Sequence, residues 1–201
     1  MFLRHRPSAD EMRRHLERQA RLPFSYAPIG GTRGDPPRGY TVDHNRAVLG
    51  TGAETFRRAA WGIRRWEMFQ LGWIEVFPAD APVRPGTTVG VLVHLPGLWS
   101  LNFCRIVYAL DDTGPVERFG FAYGTLPAHA ETGEERFSVE WNRADDTVVY
   151  DLYAFSRPRH LLARVGFPLA RGLQRRFARD SLRAMARALA GSSLTPGTLV
   201  E

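Results

Sequence analysis

The chain contains no lysine and only one cysteine, Cys104, among its 201 residues. A lone cysteine excludes an internal disulfide bond and a metal site built on several thiolates. No apolar run approaches the roughly 20 residues of a membrane-spanning helix, and the first residues lack the apolar core of a secretory signal. We therefore expect a chain without a transmembrane segment, in the reducing environment of the cytoplasm.

All 27 basic residues are arginines, and with 21 acidic residues they give a formal net charge of +6. A solvated arginine-rich surface is one interpretation, and a surface that binds nucleic acid or an anionic membrane is the alternative. The shares of hydrophobic residues (44%) and charged residues (24%) are those of a globular protein. The length suffices for a single domain with a buried core.

The first 39 residues differ in composition from the rest. Ser8 is a suitable N-cap for a short charged helix, and the stretch from there to residue 39 becomes rich in proline and glycine. We predict an N-terminal helix and a Pro/Gly-rich arm over 1–39, a single domain over 40–191, and a flexible tail over 192–201.

Apolar and polar residues alternate with a period of two in seven segments, as in strands that are buried on one face. These segments are 40–49, 73–77, 86–95, 98–110, 118–125, 135–141 and 147–155. The last six follow one another through short connections, which favours an antiparallel meander. In segment 118–125 the second face holds only Gly120, Ala122 and Gly124, which indicates close packing of the backbone there.

Two helices are predicted within this domain. Thr51 and Glu54 have the spacing of a capping box, before an apolar stripe with helical spacing. A long helix over 158–189 follows the last strand, and one of its faces carries arginines at every fourth position: Arg171, Arg175, Arg179, Arg183 and Arg187. This order of elements predicts an α+β fold in which a curved seven-stranded antiparallel sheet wraps around the long C-terminal helix, with room for a cavity between them.

Six stretches resemble the uncharacterised domain-of-unknown-function family nineteen-ninety of bacteria and plants. They are 59–73 (AAWGIRRWEMFQLGW), 102–107 (NFCRIV), 119–127 (FGFAYGTLP), 133–137 (GEERF), 154–160 (AFSRPRH) and 177–181 (FARDS). No function is assigned to that family, so this resemblance implies no chemistry.

The order of elements also resembles, more remotely, the helix-grip fold of the START and birch-pollen-allergen superfamily. Members of that superfamily hold an apolar ligand between a curved sheet and the C-terminal helix, and they include carriers, cyclases, hydratases and sensors. The resemblance thus implies a cavity for a small apolar or amphipathic ligand and leaves the chemistry open.

Residues on the predicted strands are candidates for contact with such a ligand: Asn102, Arg105, Phe121, Tyr123, Trp141 and Tyr150. Arg105 lies between apolar residues of the longest strand, so it needs a partner if it is buried. A structural ion pair with Glu75, Glu140 or Asp151 would meet that need, although the last two fall on strand faces that we expect to be solvated. The alternative is that Arg105 anchors an anionic group of the ligand.

The predicted loop 126–134 and the start of the next strand place His129 close to Glu131, Glu134 and Glu135 in sequence. One interpretation is a solvated acidic loop, another is a proton carrier (His129 or Glu135) at the mouth of the cavity, and a third is a metal site. The spacing matches no metal-ligand motif, and no phosphate-binding loop or other cofactor motif is present. We therefore predict neither a metal nor a cofactor.

Three functions remain open at this point. The chain is predicted to be a small-molecule binding protein, an enzyme of the cyclase, hydratase or hydrolase type that uses the same cavity, or an interaction protein that uses the arginine-rich helix. The sequence does not determine the ligand, the presence of catalysis or the oligomeric state.

Overall fold

The computed structural model describes residues 1–158 and 167–191, apart from the side chains of residues 167–170 and 191. The predicted flexible tail at 192–201 lies outside the described residues. So does the first part of the predicted long helix, 159–166.

Within this part of the chain, eight strands form one antiparallel sheet. They are β1 (Phe2–Leu3), β2 (Thr41–Thr51), β3 (Ile74–Phe77), β4 (Thr88–Leu95), β5 (Leu98–Asp112), β6 (Val116–Thr125), β7 (Glu131–Asn142) and β8 (Thr147–Pro158). Strands β3 to β8 are neighbours in chain order, β2 adds to the far side of β8, and the short β1 pairs with β5. The predicted antiparallel meander is confirmed.

Three α-helices accompany the sheet in the described residues: α1 (Ala9–Gln19), α2 (Gly52–Arg64) and α3 (Phe167–Gly191). A 3₁₀ turn at Glu67–Phe69 follows α2. Helices α2 and α3 pack on the concave face of the sheet and share its main apolar core. A curved sheet that holds a C-terminal helix is the helix-grip fold, so the predicted fold class is confirmed.

Aromatic side chains fill much of the core between the sheet and α3. Phe137 lies at the centre, with its ring centroid 5.3 Å from those of Phe69 and Phe121, and Phe177 of α3 closes over Phe69 at 5.2 Å. Burying each such ring stabilises the fold by about 1.5–3 kcal/mol relative to leaving it exposed. Through Phe177 this cluster joins α3 to the 3₁₀ turn and to Phe137 of β7.

The N-terminal segment packs on the convex face of the sheet. Met12 of α1 joins a second apolar cluster with Leu92, Leu101 and Phe103 of the central strands. Further along, Tyr26 is 7% exposed and crosses β6 directly over Gly124. A Cβ atom at Gly124 would lie 2.2 Å from the Tyr26 hydroxyl oxygen, so only glycine permits this close approach.

Three details of the predicted elements were wrong. Thr51 precedes α2 but makes no side-chain capping bond with the described residues, and the capping box lies instead at Ser8 and Glu11 of α1. Pro158 ends strand β8 rather than starting the long helix. Strand β7 begins at Glu131, four residues before the predicted start, so much of the predicted acidic loop is strand.

Candidate functional site

A cavity of about 290 Å³ remains between the sheet and α3, beside the aromatic cluster. Most of its wall is apolar and comes from the 3₁₀ turn, β3, β4, β8 and α3: Phe69, Trp73, Ile74, Val91, Val93, Leu152, Leu173 and Phe177. The side chains of the described residues therefore do not fill the interior. Mostly apolar walls with a few polar groups are typical of small-molecule sites.

Strand β7 brings two neighbouring carboxylates to opposite faces of the sheet, because successive residues of a strand point in opposite directions. Glu134 points to the convex side, where it accepts hydrogen bonds from the amides of Gly30 (2.8 Å) and Thr32 (2.9 Å) and from the Tyr26 hydroxyl. Glu135 lines the cavity. The carboxylate of Glu134 thus binds the N-terminal arm, and the carboxyl group of Glu135 lines the cavity.

Glu135 is paired with Tyr123, which lies directly opposite on β6. The Tyr123 hydroxyl donates to Glu135 Oε2 over 2.9 Å. Burial raises the pKa of Glu135 to about 8, the charges of Glu131 and Asp43 act in the same direction, and the Tyr123 hydrogen bond opposes them. Burial and the charge of Glu135 likewise raise the pKa of Tyr123 well above its usual value. Near pH 7 the pair is mostly neutral, and Glu135 can either donate or accept a proton.

A polar network joins the sheet to α3 at one end of the cavity. Arg171 binds Asp43 of β2 through two hydrogen bonds (2.5 and 2.7 Å) and donates to Gln174 Oε1 (2.6 Å). Gln174 in turn donates to Glu131 (2.7 Å) and Ser156 (3.0 Å). Burial raises the pKa of Glu131, while the hydrogen bond to Asp43 raises that of Arg171. The guanidinium of Arg171, the one arginine in this network, is therefore bound to Asp43.

His129 and Asn102 line the cavity near the connection between β6 and β7. His129 Nδ1 accepts a hydrogen bond from the Glu131 amide (3.0 Å). Asn102 accepts from the Ala130 amide (3.2 Å) and donates to Ser100 Oγ (3.0 Å). Both side chains hold the connecting loop in place and also present polar atoms at the wall.

Arg105 lies on the other side of the sheet. Its guanidinium donates to the main-chain carbonyls of Gln19 (3.2 Å), Ala20 (2.8 Å) and Leu22 (2.9 Å), where α1 ends. Arginine at a helix C-terminus satisfies carbonyls that have no partner within the helix. The predicted ion pairs of Arg105 with acidic strand residues were wrong, because main-chain carbonyls take their place.

The remaining predicted ligand contacts lie outside the cavity lining as the described residues define it. Phe121 belongs to the aromatic core, and the Tyr150 hydroxyl lies 3.0 Å from Ser181 Oγ on α3. Trp141 donates to Asp146 Oδ1 (2.9 Å) in the turn after β7. The structure thus brings Asn102, Tyr123, His129 and Glu135 together at the cavity and places Arg105, Phe121, Trp141 and Tyr150 elsewhere.

Sequence reasoning placed Glu131 in a loop rather than on the cavity side of β7, and it did not assign Arg171 or Gln174 to the site. The alternation of β7 contained a signal for the first, since Glu131 has the same parity as Glu135 and shares its face once the strand is extended upstream. Arg171 counted as part of the arginine ladder on the solvent side of the helix. Only the position of Asp43 opposite it reveals that it points inward.

Asp151 is 2% exposed, so the expectation that it is solvated was wrong. On the convex face of the sheet it accepts from His44 Nε2 (2.6 Å) and Arg136 Nη2 (2.9 Å), and Arg46 Nε lies 3.1 Å away. This cluster joins β2, β7 and β8 on the side of the sheet that faces away from the cavity.

The solvent side of α3 is less basic than its arginine ladder indicates. Asp180 lies within 3.5 Å of Arg176 and Arg179 and 4.0 Å of Arg183. It also accepts a hydrogen bond from Trp73 Nε1 (3.2 Å). These contacts neutralise part of the positive charge of the helix surface.

The described residues lack the features of two other kinds of site. They bring together no group of three or more His, Cys, Asp and Glu side chains that is arranged to hold a metal ion. None of their helices combines the length and apolar character that crossing a bilayer requires.

The fold is similar to that of a hypothetical protein, jhp0584, from Helicobacter pylori. The TM-score is 0.54, and the match covers 83% of this chain and 98% of that one at 10% identity. At so low an identity, the likeness shows the fold and nothing of the chemistry.

Two relatives match the chain over nearly its whole length. A UPF0548 protein of Dictyostelium discoideum is 34% identical, with 94% of this chain and 96% of the relative covered. A UPF0548 protein of Deinococcus radiodurans is 35% identical, with coverage of 94% and 98%. In addition, the model of the domain of unknown function DUF1990 matches residues 25–184. The chain therefore belongs to the DUF1990 family.

Proposed function

We propose that this chain is a cytoplasmic protein that binds a small amphipathic molecule in the cavity between the sheet and α3. One observation carries the proposal: the cavity has a mostly apolar wall, and its polar groups include the pair of the buried Tyr123 and the half-buried Glu135. A buried carboxyl group is costly unless it has a partner, so a pair of this kind in an otherwise apolar wall is characteristic of a binding site.

The volume of the cavity sets the size of the ligand. About 290 Å³ is the space of roughly ten water molecules at about 30 Å³ each. A molecule, or the buried part of a molecule, with about ten non-hydrogen atoms would fill it. The apolar wall supplies most of the binding free energy, and the polar groups select the head group and orient it.

The experiment compares a variant with a filled cavity and a matched surface variant. Ala154 lies opposite Glu135 on β8 and lines the cavity, so Ala154→Trp places an indole in the ligand's space. Ala144 is exposed in the turn between β7 and β8, so Ala144→Trp adds the same group without touching the cavity. The readout is the fluorescence of 1-naphthylamine, an apolar probe of the size that the cavity holds, and its displacement by short-chain alcohols, amines and carboxylic acids.

We expect the natural chain and Ala144→Trp to bind the probe and Ala154→Trp to lose binding while it keeps a cooperative unfolding transition. Binding that is equal in a folded Ala154→Trp variant would overturn the proposal. A natural chain that binds neither the probe nor any member of the panel would also overturn it.

An enzyme that uses the same cavity is the second candidate, because the pKa of Glu135 lies near 8. A carboxyl group with such a pKa, hydrogen-bonded to a tyrosine in an apolar site, is suited to general acid–base catalysis at neutral pH. The test is turnover of a panel of esters and α,β-unsaturated ketones. Glu135→Gln should abolish any such activity, and a rate that is unchanged in Glu135→Gln would exclude this role.

A further inference from the structure

We infer that the head group of the ligand is a cation, such as a guanidinium or a primary ammonium group, which is seated on the Glu135 carboxylate beside the Tyr123 hydroxyl. This inference rests on the proposed function, since it concerns the same cavity. It assigns a charge to the ligand, which the likeness of the fold does not provide.

The balance of charge in the cavity is the first argument. Four acidic residues line it, but the Glu134 carboxylate is turned to the convex face, which leaves Asp43, Glu131 and Glu135, and Arg171 is bonded to Asp43. Within the described residues, the side chains that hydrogen-bond to the other two are neutral: Gln174 and Ser156 at Glu131, and Tyr123 at Glu135. Among the residues that the structure describes, no arginine forms an ion pair with Glu131 or Glu135. A positively charged head group would supply the missing counter-charge.

The shape of the Glu135 environment is the second argument. The Tyr123 hydroxyl occupies Oε2, and part of the Glu135 surface faces the cavity rather than the protein. A guanidinium group can donate two hydrogen bonds to one carboxylate, and an ammonium group can donate one and also contact a neighbouring ring face. Phe69, Phe177 and Tyr123 itself provide such faces in the cavity wall.

The same groups disfavour an anionic head group. A ligand carboxylate at this position would face Glu131 and Glu135 in an apolar environment, where like charges repel strongly. Arg175 also lines the cavity, but it is an exposed residue of α3. Arg171 could accept an anion only by giving up its two bonds to Asp43. The charged residues of the cavity therefore favour a cationic head group over an anionic one.

Proton release provides a specific readout. Burial and the charges of Glu131 and Asp43 keep Glu135 mostly protonated near pH 7, with a pKa of about 8. A cation binds the carboxylate form, so binding must displace that proton. The affinity should then rise by about tenfold per pH unit below pH 8 and become constant above it.

Other titratable and charged groups surround Glu135, and their influence on the pH dependence of binding must be distinguished from that of Glu135. They are Asp43 on β2, Cys104 on β5, Tyr123 on β6, Glu131 on β7, Tyr150 on β8, Arg171 and Arg175 on α3, and His129 in the connecting loop. Burial raises the pKa of Cys104, Tyr123 and Tyr150, so these three stay neutral between pH 6 and pH 8. The comparison of the natural chain with Glu135→Gln separates Glu135 from the remaining groups, because only the proton on Glu135 is removed by that change.

The experiment uses the full chain and three probes that differ only in their head group. Hexylguanidinium is permanently charged, hexylurea is its neutral counterpart of nearly equal shape, and heptanoate is the anionic counterpart, each with about ten non-hydrogen atoms or slightly fewer. Dissociation constants are measured by displacement of 1-naphthylamine between pH 6 and pH 9. The variants are Glu135→Gln and, as a matched control on the convex face of the same strand, Glu140→Gln.

At pH 9 we expect hexylguanidinium to bind the natural chain at least about tenfold more tightly than hexylurea, and heptanoate to bind more weakly than both. Glu135→Gln should remove the preference and its pH dependence, whereas Glu140→Gln should keep both. Equal binding of hexylguanidinium and hexylurea, or a preference that survives in Glu135→Gln, would overturn the inference and leave the proposed cavity function intact. Failure of all three probes and of the naphthylamine would overturn the proposed function itself.

Discussion

Tyr123 and Glu135 face each other across strands β6 and β7, and the hydroxyl of one donates to the carboxyl group of the other over 2.9 Å. Burial raises the pKa of both groups, so they form a neutral hydrogen-bonded pair at pH 7. The Glu135 carboxyl group, which can ionise, thus lies in a mostly apolar cavity. It stays protonated until a bound ligand or a higher pH favours the carboxylate form.

The first prediction concerns the pH dependence of stability. The pKa of Glu135 rises from 4.5 to about 8 on folding, so the folded state binds more protons than the unfolded state between these values. The contribution of Glu135 to the free energy of unfolding is therefore complete below pH 4.5. It falls as the pH rises to 8 and is constant above pH 8. Urea unfolding should show that, between these pH values, the natural chain loses about 1 kcal/mol of unfolding free energy per pH unit relative to Glu135→Gln.

Glu140→Gln is the matched control for that measurement, since Glu140 lies on the convex face with Arg46 and Arg118 as partners. Its stability difference from the natural chain should not decrease between pH 5 and pH 8. A flat difference for Glu135→Gln over the same range would show that the carboxyl group is solvated and would contradict the pKa assigned to it.

Much of the fold followed from period-two alternation in the sequence. Phe119, Phe121 and Tyr123 alternate with small residues, and this pattern correctly indicated a strand with one face in the core and a backbone closely packed on the other. The pattern is readable because burial on one face imposes it on every second residue. It also gave the antiparallel meander, because each turn was marked by its own residues.

The site was only partly predictable because its contacts join residues that are distant in the chain. His129, Tyr123 and Glu135 line one cavity in the structure, and their closeness could be expected because β6, β7 and their connection are adjacent in sequence. Arg105 was assigned to the cavity, but its partners are carbonyls at the end of α1, more than 80 residues earlier. Local pattern shows that a residue needs a partner and does not show on which side of the sheet the partner lies.

The second prediction follows from that position of Arg105. Arg105→Met keeps the aliphatic part of the side chain and removes the donors to the carbonyls of Gln19, Ala20 and Leu22. We expect a loss of about 1–3 kcal/mol in unfolding free energy and faster amide hydrogen exchange at the end of α1. Binding of the cavity probe should change by less than about twofold, because Arg105 lies on the convex side.

Arg84→Met is the control for this change, because Arg84 is exposed in the loop before β4. It should alter stability by no more than about 0.5 kcal/mol. If Arg105→Met weakened binding of an anionic probe and left exchange in α1 unchanged, the arginine would act as a ligand anchor after all.

The third prediction concerns attachment of the N-terminal arm. Glu134 is 2% exposed and accepts from the amides of Gly30 and Thr32 and from the hydroxyls of Tyr26 and Thr32. Glu134→Ala leaves these buried donors without an acceptor, so we expect a loss of about 3–5 kcal/mol. Limited proteolysis should cleave within residues 23–39 before the rest of the chain.

Glu117→Ala provides the comparison, since Glu117 pairs with Arg143 on an exposed surface. Surface ion pairs contribute about 0–1 kcal/mol, so this variant should unfold and digest like the natural chain. Equal behaviour of the two variants would mean that the arm is held by its apolar contacts alone.

The fourth prediction compares two Gly→Ala changes in opposite environments. A Cβ atom at Gly120 would lie 2.2 Å from the main-chain oxygen of Phe137 and 2.7 Å from Ser138 Cα, so β6 and β7 would have to separate. Gly172 lies within α3, and a Cβ atom there meets nothing within 4 Å. We expect Gly120→Ala to destabilise the fold by about 3 kcal/mol or more and Gly172→Ala to stabilise it by about 0.5–1 kcal/mol. Thermal unfolding measures both, and a destabilising Gly172→Ala would mean that residue 172 is not in a regular helix, which would remove the reason to place α3 along the cavity.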